Sequence, residues 1–287
     1  MANLKGSSFE KQLKDMNFKL FSLGDKKTGD SLTHSHALLV KRDMYFKDFA
    51  KHLESQNLYG KFNQLLTESN LNSFLNSRLS NLGLSSRENY ISGFNSLLNA
   101  FREVNVSVSI GKNYFKNKYS EIKQVTPSYK QTQKRGLPSN TVLRELKEIR
   151  YESFIIGKIM LENGFRISEV MKLVTQPSEY VTPLPNGTYK ISNLVGKGGK
   201  IYHDKLLSPT NFRLISNMEN IPSKSAFHRD LKLINENLRA HDFRYQYSKN
   251  LYNDNVSLLG DRKALELVSK ALNHNRIEIS KYYLSRT

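Results

Sequence analysis

Two histidines, an arginine and a pair of tyrosines lie between His241 and Thr287, and residues of these types suit work on a phosphate. His241 precedes Arg244 by three residues in HDFR, so on a helix the imidazole and the guanidinium share a side, roughly one turn apart. His274 stands nine residues before Tyr283, across what reads as a turn and a short helix. A guanidinium fork matches phosphate oxygens, an imidazole moves protons near neutral pH, and a phenol can act as a nucleophile. Imidazole and guanidinium beside a phenol point to phosphate rather than carbonyl chemistry. Neighbours on a helix point about 100° apart, so only one of Tyr282 and Tyr283 can face such a group, and local spacing leaves both open.

The elements upstream must supply the rest of a pocket. Ser139 or Asn140 can cap a helix through Leu143 and Leu146, and Phe154, Ile155, Ile159 and Met160 continue a buried helix that ends at Asn163-Gly164. Gly164 suits a left-handed cap, so Arg166 falls where the next helix starts, with Ile167, Val170, Met171 and Leu173 on its buried face. Glu169 is one turn from Arg166 and can orient it. Residues 179–207 read as strands, with a hairpin turn at Pro185-Asn186-Gly187 and a second tight turn at Gly196-Lys197-Gly198-Gly199-Lys200. That second turn puts Lys197 and Lys200 on a mobile hairpin. It is no phosphate-binding P-loop, because no GxxxxGK[ST] run leads into a helix.

Composition narrows the partner. Lys and Arg number 44 against 26 acidic residues, a net charge of +18. Such a surplus favours a polyanion, because each phosphate neutralised releases condensed counterions. No basic helix opposes a Trp/Leu face, as a membrane-surface binder requires, and no apolar run has bilayer length. The N-terminus lacks the apolar core of a signal peptide, and the sequence has no cysteine. These features lead to the expectation of a soluble, intracellular protein that binds nucleic acid.

Along the first half, residues 1–36 read as a loosely ordered arm or short helix. Residues 37–110 read as a small helical domain, with Tyr45, Phe49 and Leu53 at helical spacing. Leu71, Phe74, Leu75 and Leu79 form a second stripe, closed by Gly83. Ser85-Ser86-Arg87-Glu88 reads as a capping box opening the stripe Tyr90, Phe94, Leu97, Leu98 and Phe101. Residues 111–138 read as a basic, partly extended linker that can lie along a DNA backbone. Its cations Lys112, Lys116, Lys118, Lys130, Lys134 and Arg135 are the DNA-contact candidates, together with Lys200. Residues 139–287 form a second domain.

In chain order the chemistry-bearing residues are Arg166, Lys197, His241, Arg244, His274 and Tyr283, and their setting resembles the tyrosine recombinase (phage integrase) family, Xer-like members in particular. Gly164-Phe165-Arg166-Ile167-Ser168-Glu169-Val170 is similar to the family's GLRxSEL box, and Gly196 to Lys200 to its GKGxK hairpin. His241-Asp242-Phe243-Arg244 matches HxLR, and Leu272-Asn273-His274 matches LGH, with Tyr283 at the family's spacing. Asn273 replaces a glycine, and Asn is well suited to a left-handed backbone. The tail after the tyrosine is short, whereas many members carry a further segment that docks on a neighbouring subunit.

The resemblance implies a mainly α fold with a small antiparallel β-meander, built as an N-terminal helical core-binding domain plus a tyrosine-recombinase catalytic domain that form a C-shaped clamp on DNA. It implies Tyr283 as the nucleophile in preference to Tyr282, His241 as general base, and Arg166 and Arg244 on the non-bridging oxygens. His274 would bond to the phosphate, and Lys197, in preference to Lys200, would protonate the leaving oxygen. It further implies a homotetramer on two DNA sites, a dimer per site, with no metal and no cofactor. The readings that compete are a type IB topoisomerase or telomere resolvase, and a non-catalytic DNA-binding protein with a recombinase-like fold. Accessory DNA-bending or regulatory proteins are unassigned.

Overall fold

The computed structural model of the protein describes residues 8–22, 31–80, 82–111, 113–125, 137–274 and 276–285. The chain divides into two compact units, Met1–Gln131 and Thr132–Thr287.

In the first unit, α1 (Phe9–Lys19), α2 (His36–Ser55), α3 (Phe62–Leu65), α4 (Glu68–Arg78), α5 (Leu84–Glu103) and α6 (Tyr114–Val125) enclose an aromatic core. Phe49 meets Phe62 and Phe74 edge-on at centroid distances of 5.7 and 5.4 Å, an arrangement that suits the ring quadrupoles. The N-terminal stretch is helical where it is described: α1 buries Phe9 and Leu13 in this core. Arg42 is also buried, and its guanidinium bonds to Thr33 Oγ1 and Ser96 Oγ, both at 2.6 Å, and to Ser31 O. Burial lowers its pKa, while Glu103 raises it.

Two local expectations change. Helix α5 starts at Leu84 with Gly83 as N-cap, two residues ahead of the Ser85 cap read from the sequence. The carbonyl of Gly83 takes the amides of Ser86 (2.9 Å) and Arg87 (3.2 Å), and the Arg87 side chain binds Leu82 O, so the turn closes early. Gly83 therefore opens α5 and does not close α4, which ends at Arg78. The basic stretch after residue 111 is not extended over its first half. Tyr114 and Phe115 are buried and Ile122 packs against the same core, and this apolar face makes α6 a helix on α5.

The second unit holds α7 (Asn140–Ile149), α8 (Tyr151–Asn163), α9 (Ile167–Thr175) and α10 (Pro177–Tyr180). Strands β1 (Val181–Pro183), β2 (Tyr189–Ile191) and β3 (Lys205–Leu207) follow as an antiparallel sheet in that order, with Val181 opposite Ile191 and Tyr189 opposite Leu207. Then come α11 (Pro209–Ser216), α12 (Lys224–Ile234), α13 (Ala240–Leu259), α14 (Asp261–Ala271) and α15 (Ile277–Leu284). Helix α8 buries Ile155, Ile156, Ile159 and Met160, and α13 lies against it. A smaller cluster of Tyr245, Val268, Leu272 and Tyr283 joins α13, α14 and α15. The fold is mainly helical with a small three-stranded sheet.

Candidate active site

Arg244 is the centre of the site. It lies in the second turn of α13, fully buried. Its Nε–H donates to Tyr283 Oη at 3.2 Å; Nη1 donates to Tyr202 Oη at 2.9 Å and to Gly164 O; Nη2 donates to Leu272 O and to His274 Nε2, the latter at 3.3 Å. A guanidinium presents five N–H donors, so every one of them has an acceptor within the protein. Burying this charge requires such saturation, because an unpaired buried donor or charge is costly.

The turn before α9 is built to receive that arginine. Gly164 ends α8 in the left-handed region at φ +65°, and a Cβ there would stand 2.3 Å from Tyr247 Cδ1. Both the dihedral and the contact demand glycine. Two residues on, Arg166 is the N-cap of α9. Glu169, 1% exposed, returns to the backbone N–H of Arg166 at 2.6 Å and takes Arg166 Nη1 at 2.9 Å. The arginine is therefore held from inside, not as a loose surface pair. Helix α13 opens the same way: Asp242, fully buried, accepts the backbone N–H of Arg239 at 2.7 Å, which fixes the turn bearing His241.

Tyr283 reaches this centre from α15. It is 4% exposed, and its hydroxyl contacts His241 Nε2 at 2.9 Å besides Arg244 Nε. Since Arg244 can only donate, the phenol accepts from it and is free to donate its own proton to His241. Tyr245 walls the Tyr283 ring, with the two centroids 4.9 Å apart. Tyr282, 45% exposed, turns outward.

His274 arrives through the end of α14. Asn273 takes φ +57°, and the amides of Asn273 and His274 bond to Lys270 O and Ser269 O, both at 2.9 Å, closing a left-handed cap without glycine. Burial first, then Arg244, Arg166 and Lys200, lower the pKa of His274 to about 4. The ring is thus neutral at neutral pH, and an imidazole that accepts at Nε2 carries its proton on Nδ1.

The hairpin contributes differently from its reading in the sequence. Lys197 lies exposed in a single 3₁₀ turn and makes no side-chain hydrogen bond to a described residue. Lys200, also exposed, offers its carbonyl to Asn273 Nδ2 at 3.4 Å and repels a proton from His274. The structure thus brings together Arg166, Glu169, His241, Arg244, His274 and Tyr283, and leaves Lys197 outside their hydrogen bonds. Of the proposed DNA contacts, Lys116 is exposed on α6 and Lys118 is paired with Glu121 at 2.7 Å. Lys112, Lys130, Lys134 and Arg135 lie outside the described residues.

Two further residues of the site escaped the sequence reading. Tyr202, between the turn and β3, donates to Glu169 Oε2 at 2.7 Å and accepts from Arg166 Nη1 at 3.2 Å as well as from Arg244. Burial pushes its pKa up to about 12, against the pull of Arg244. Lys205 on β3 donates to Asn163 O, with its ammonium 4.8 Å from the Phe165 ring centroid and 5.1 Å from that of Tyr247. Desolvation, then Arg244, pull its pKa down to about 7. Both residues stand in a stretch that reads as strand, and no local feature of it signals these contacts. Among the described residues no cluster of three or more His, Asp or Glu could hold a metal, and no helix is long and apolar enough to cross a membrane.

A helical unit followed by a mainly helical unit with this small meander defines the fold of a Xer-type site-specific recombinase. Two crystal structures of XerH site-specific recombinase are similar to the chain over nearly its whole length. The post-cleavage complex with palindromic difH substrate has a TM-score of 0.64 at 17% identity, covering 98% of this chain and 94% of that one. The pre-cleavage complex with difH substrate has a TM-score of 0.60 at 17% identity, with coverage of 98% and 95%. No family model matches the sequence, and no curated protein matches it. At this identity the likeness is one of fold.

Proposed function

We propose that this protein is a site-specific DNA recombinase that cuts and rejoins strands through a 3′-phosphotyrosyl intermediate. The observation that carries the reading is the Tyr283 hydroxyl, held between His241 Nε2 at 2.9 Å and Arg244 Nε at 3.2 Å. Phenols are weak nucleophiles near neutral pH and need a base within hydrogen-bond reach, which His241 supplies. The scissile phosphate enters beside Arg166 and Arg244 and takes over donors that the protein's own groups occupy in its absence. Tyr283 Oη bonds to phosphorus as its proton passes to His241 Nε2, and the bond from phosphorus to the 5′-oxygen breaks. The 5′-oxygen receives a proton from Lys197. Charge that grows on the non-bridging oxygens meets the two guanidinium groups, and His274 adds a hydrogen bond. Attack by the 5′-hydroxyl of a partner strand reverses the step and joins new ends.

Double-stranded DNA is the partner, a reading that the net charge of +18 favours. The first unit, with α6 packed on its core, serves as the DNA-gripping core-binding domain, residues 139–287 form the catalytic domain, and Lys112, Lys116, Lys118, Lys130, Lys134, Arg135 and Lys200 contribute contacts to the backbone. Four copies act on two sites, in the cytoplasm.

Incubation with a pool of nicked duplexes with randomised arms tests the reading. Nicking lets the cut fragment diffuse away and traps a covalent adduct, which a denaturing gel resolves and mass spectrometry maps. The wild type and Tyr282→Phe should form an adduct on Tyr283, and Tyr283→Phe none. An adduct on Tyr282 would overturn the choice of nucleophile; its absence on any duplex would leave a DNA-binding protein with this fold.

A further inference from the structure

We propose that Tyr202 is a positioning residue that sets the spacing and orientation of the two phosphate-binding arginines, an inference that rests on the strand-transfer reading above. Its hydroxyl spends its whole hydrogen-bonding capacity inside the site. It donates to Glu169 Oε2 at 2.7 Å and accepts from Arg166 Nη1 at 3.2 Å and Arg244 Nη1 at 2.9 Å. Arg166 belongs to the turn before α9 and Arg244 to α13, and among the described contacts Tyr202 is the side chain that bonds to both. A shared oxygen between two cations ties one guanidinium to the other, and Glu169 supplies the compensating charge.

The tyrosine is itself fixed. It is 4% exposed, its amide bonds to Leu194 O at 2.9 Å, and its ring stands edge-on to Phe165 with centroids 5.2 Å apart. On the other side lies Gly196, where a Cβ would come within 2.8 Å of Tyr202 Cε2 and 2.9 Å of Glu169 Oε1. The first glycine of the hairpin box thus makes room for the tyrosine–glutamate pair. Tyr202 touches neither Tyr283 nor His241 in its hydrogen bonds, so it acts through the arginines. The hairpin then has two tasks: its tip carries lysines outward, and its returning strand aligns the clamp.

Tyr202→Phe removes the oxygen and keeps the ring. Single-turnover cleavage of a nicked duplex should fall about 100-fold, the scale of a misplacement near 1 Å, with duplex affinity unchanged. The melting temperature should fall as well, because Glu169, Arg166 and Arg244 each lose a buried hydrogen-bond partner. The same variant is then assayed on a duplex whose scissile phosphate is a methylphosphonate. A neutral phosphonate places less charge on the oxygens that the arginines hold, so the loss relative to wild type should shrink towards none. The ratio of the two rates within one preparation does not depend on the folded fraction, so poor folding cannot imitate it. A wild-type protein that forms no adduct overturns the strand-transfer reading, and this inference with it. Wild-type cleavage together with an unchanged rate in Tyr202→Phe, or an equal loss on both substrates, overturns this inference alone.

Discussion

Replacing Lys205 by methionine should tilt the dependence of stability on pH, by an amount that follows from where the ammonium sits. The group packs among the rings of Phe165, Tyr202 and Tyr247, and it faces Arg244 and Glu169. Its pKa falls from 10.5 to about 7, desolvation being the larger cause and Arg244 the next. Between those values the unfolded chain binds a proton that the folded chain does not. Stability therefore rises with pH across this window, at about 1.4 kcal/mol per pH unit at most. Over the full window the charged form is disfavoured by about 5 kcal/mol, and by about half of that where water reaches the half-buried side chain. Lys205→Met removes the titration. It also removes the bond to Asn163 O, worth about 1–3 kcal/mol, but that loss displaces the curve without tilting it. Urea unfolding of both proteins at pH 7.5, 8.5, 9.5 and 10 gives the difference curve, in which the other lysines and tyrosines cancel. Wild type should gain on the variant by about 0.7–1.4 kcal/mol per pH unit. A flat difference would refute the claim that this ammonium is desolvated beside Arg244.

The hairpin lysines can be separated chemically. Loss of the group that protonates the leaving oxygen should slow cleavage by about 100- to 10,000-fold, and a 5′-bridging phosphorothiolate should restore the rate, because a thiolate leaves without a proton. Lys197→Ala should show this rescue and Lys200→Ala should not; the opposite pattern would exchange their roles. Gly164→Ala should cost about 2–5 kcal/mol in urea unfolding, from a left-handed Cβ and from the collision with Tyr247. A variant of wild-type stability would mean that the turn beneath Arg244 is not under that constraint.

Much of this architecture was legible in the sequence because each cue is local. Apolar residues at helical spacing place α8 and α9, Ser139 caps α7, and glycine or asparagine marks the left-handed turns at Gly164 and Asn273. The basic stretch after residue 111 misled because its lysines are conspicuous, whereas Tyr114, Phe115 and Ile122 decide its conformation by packing. Tyr202 and Lys205 were illegible for another reason. Their roles depend on which side chains meet across the fold, and nothing in a strand-like stretch states that a tyrosine tip will fall between two arginines.

Saturation of Arg244 is the property that no motif could convey. A box with histidine and arginine suggests a free cation waiting for phosphate, yet every N–H of this guanidinium is bonded within the protein. Three of its acceptors, Gly164 O, Leu272 O and Tyr202 Oη, belong to the frame. The other two, Tyr283 Oη and His274 Nε2, belong to groups that act in the proposed reaction. A phosphate can gain donors from Arg244 only where those two yield them. Release of the Arg244 Nε–H then frees the phenol to turn on phosphorus while His241 still holds its proton. In the proposed reaction, phosphate binding and activation of Tyr283 would become one exchange of hydrogen bonds, with Tyr202 keeping the guanidinium in place while the exchange occurs.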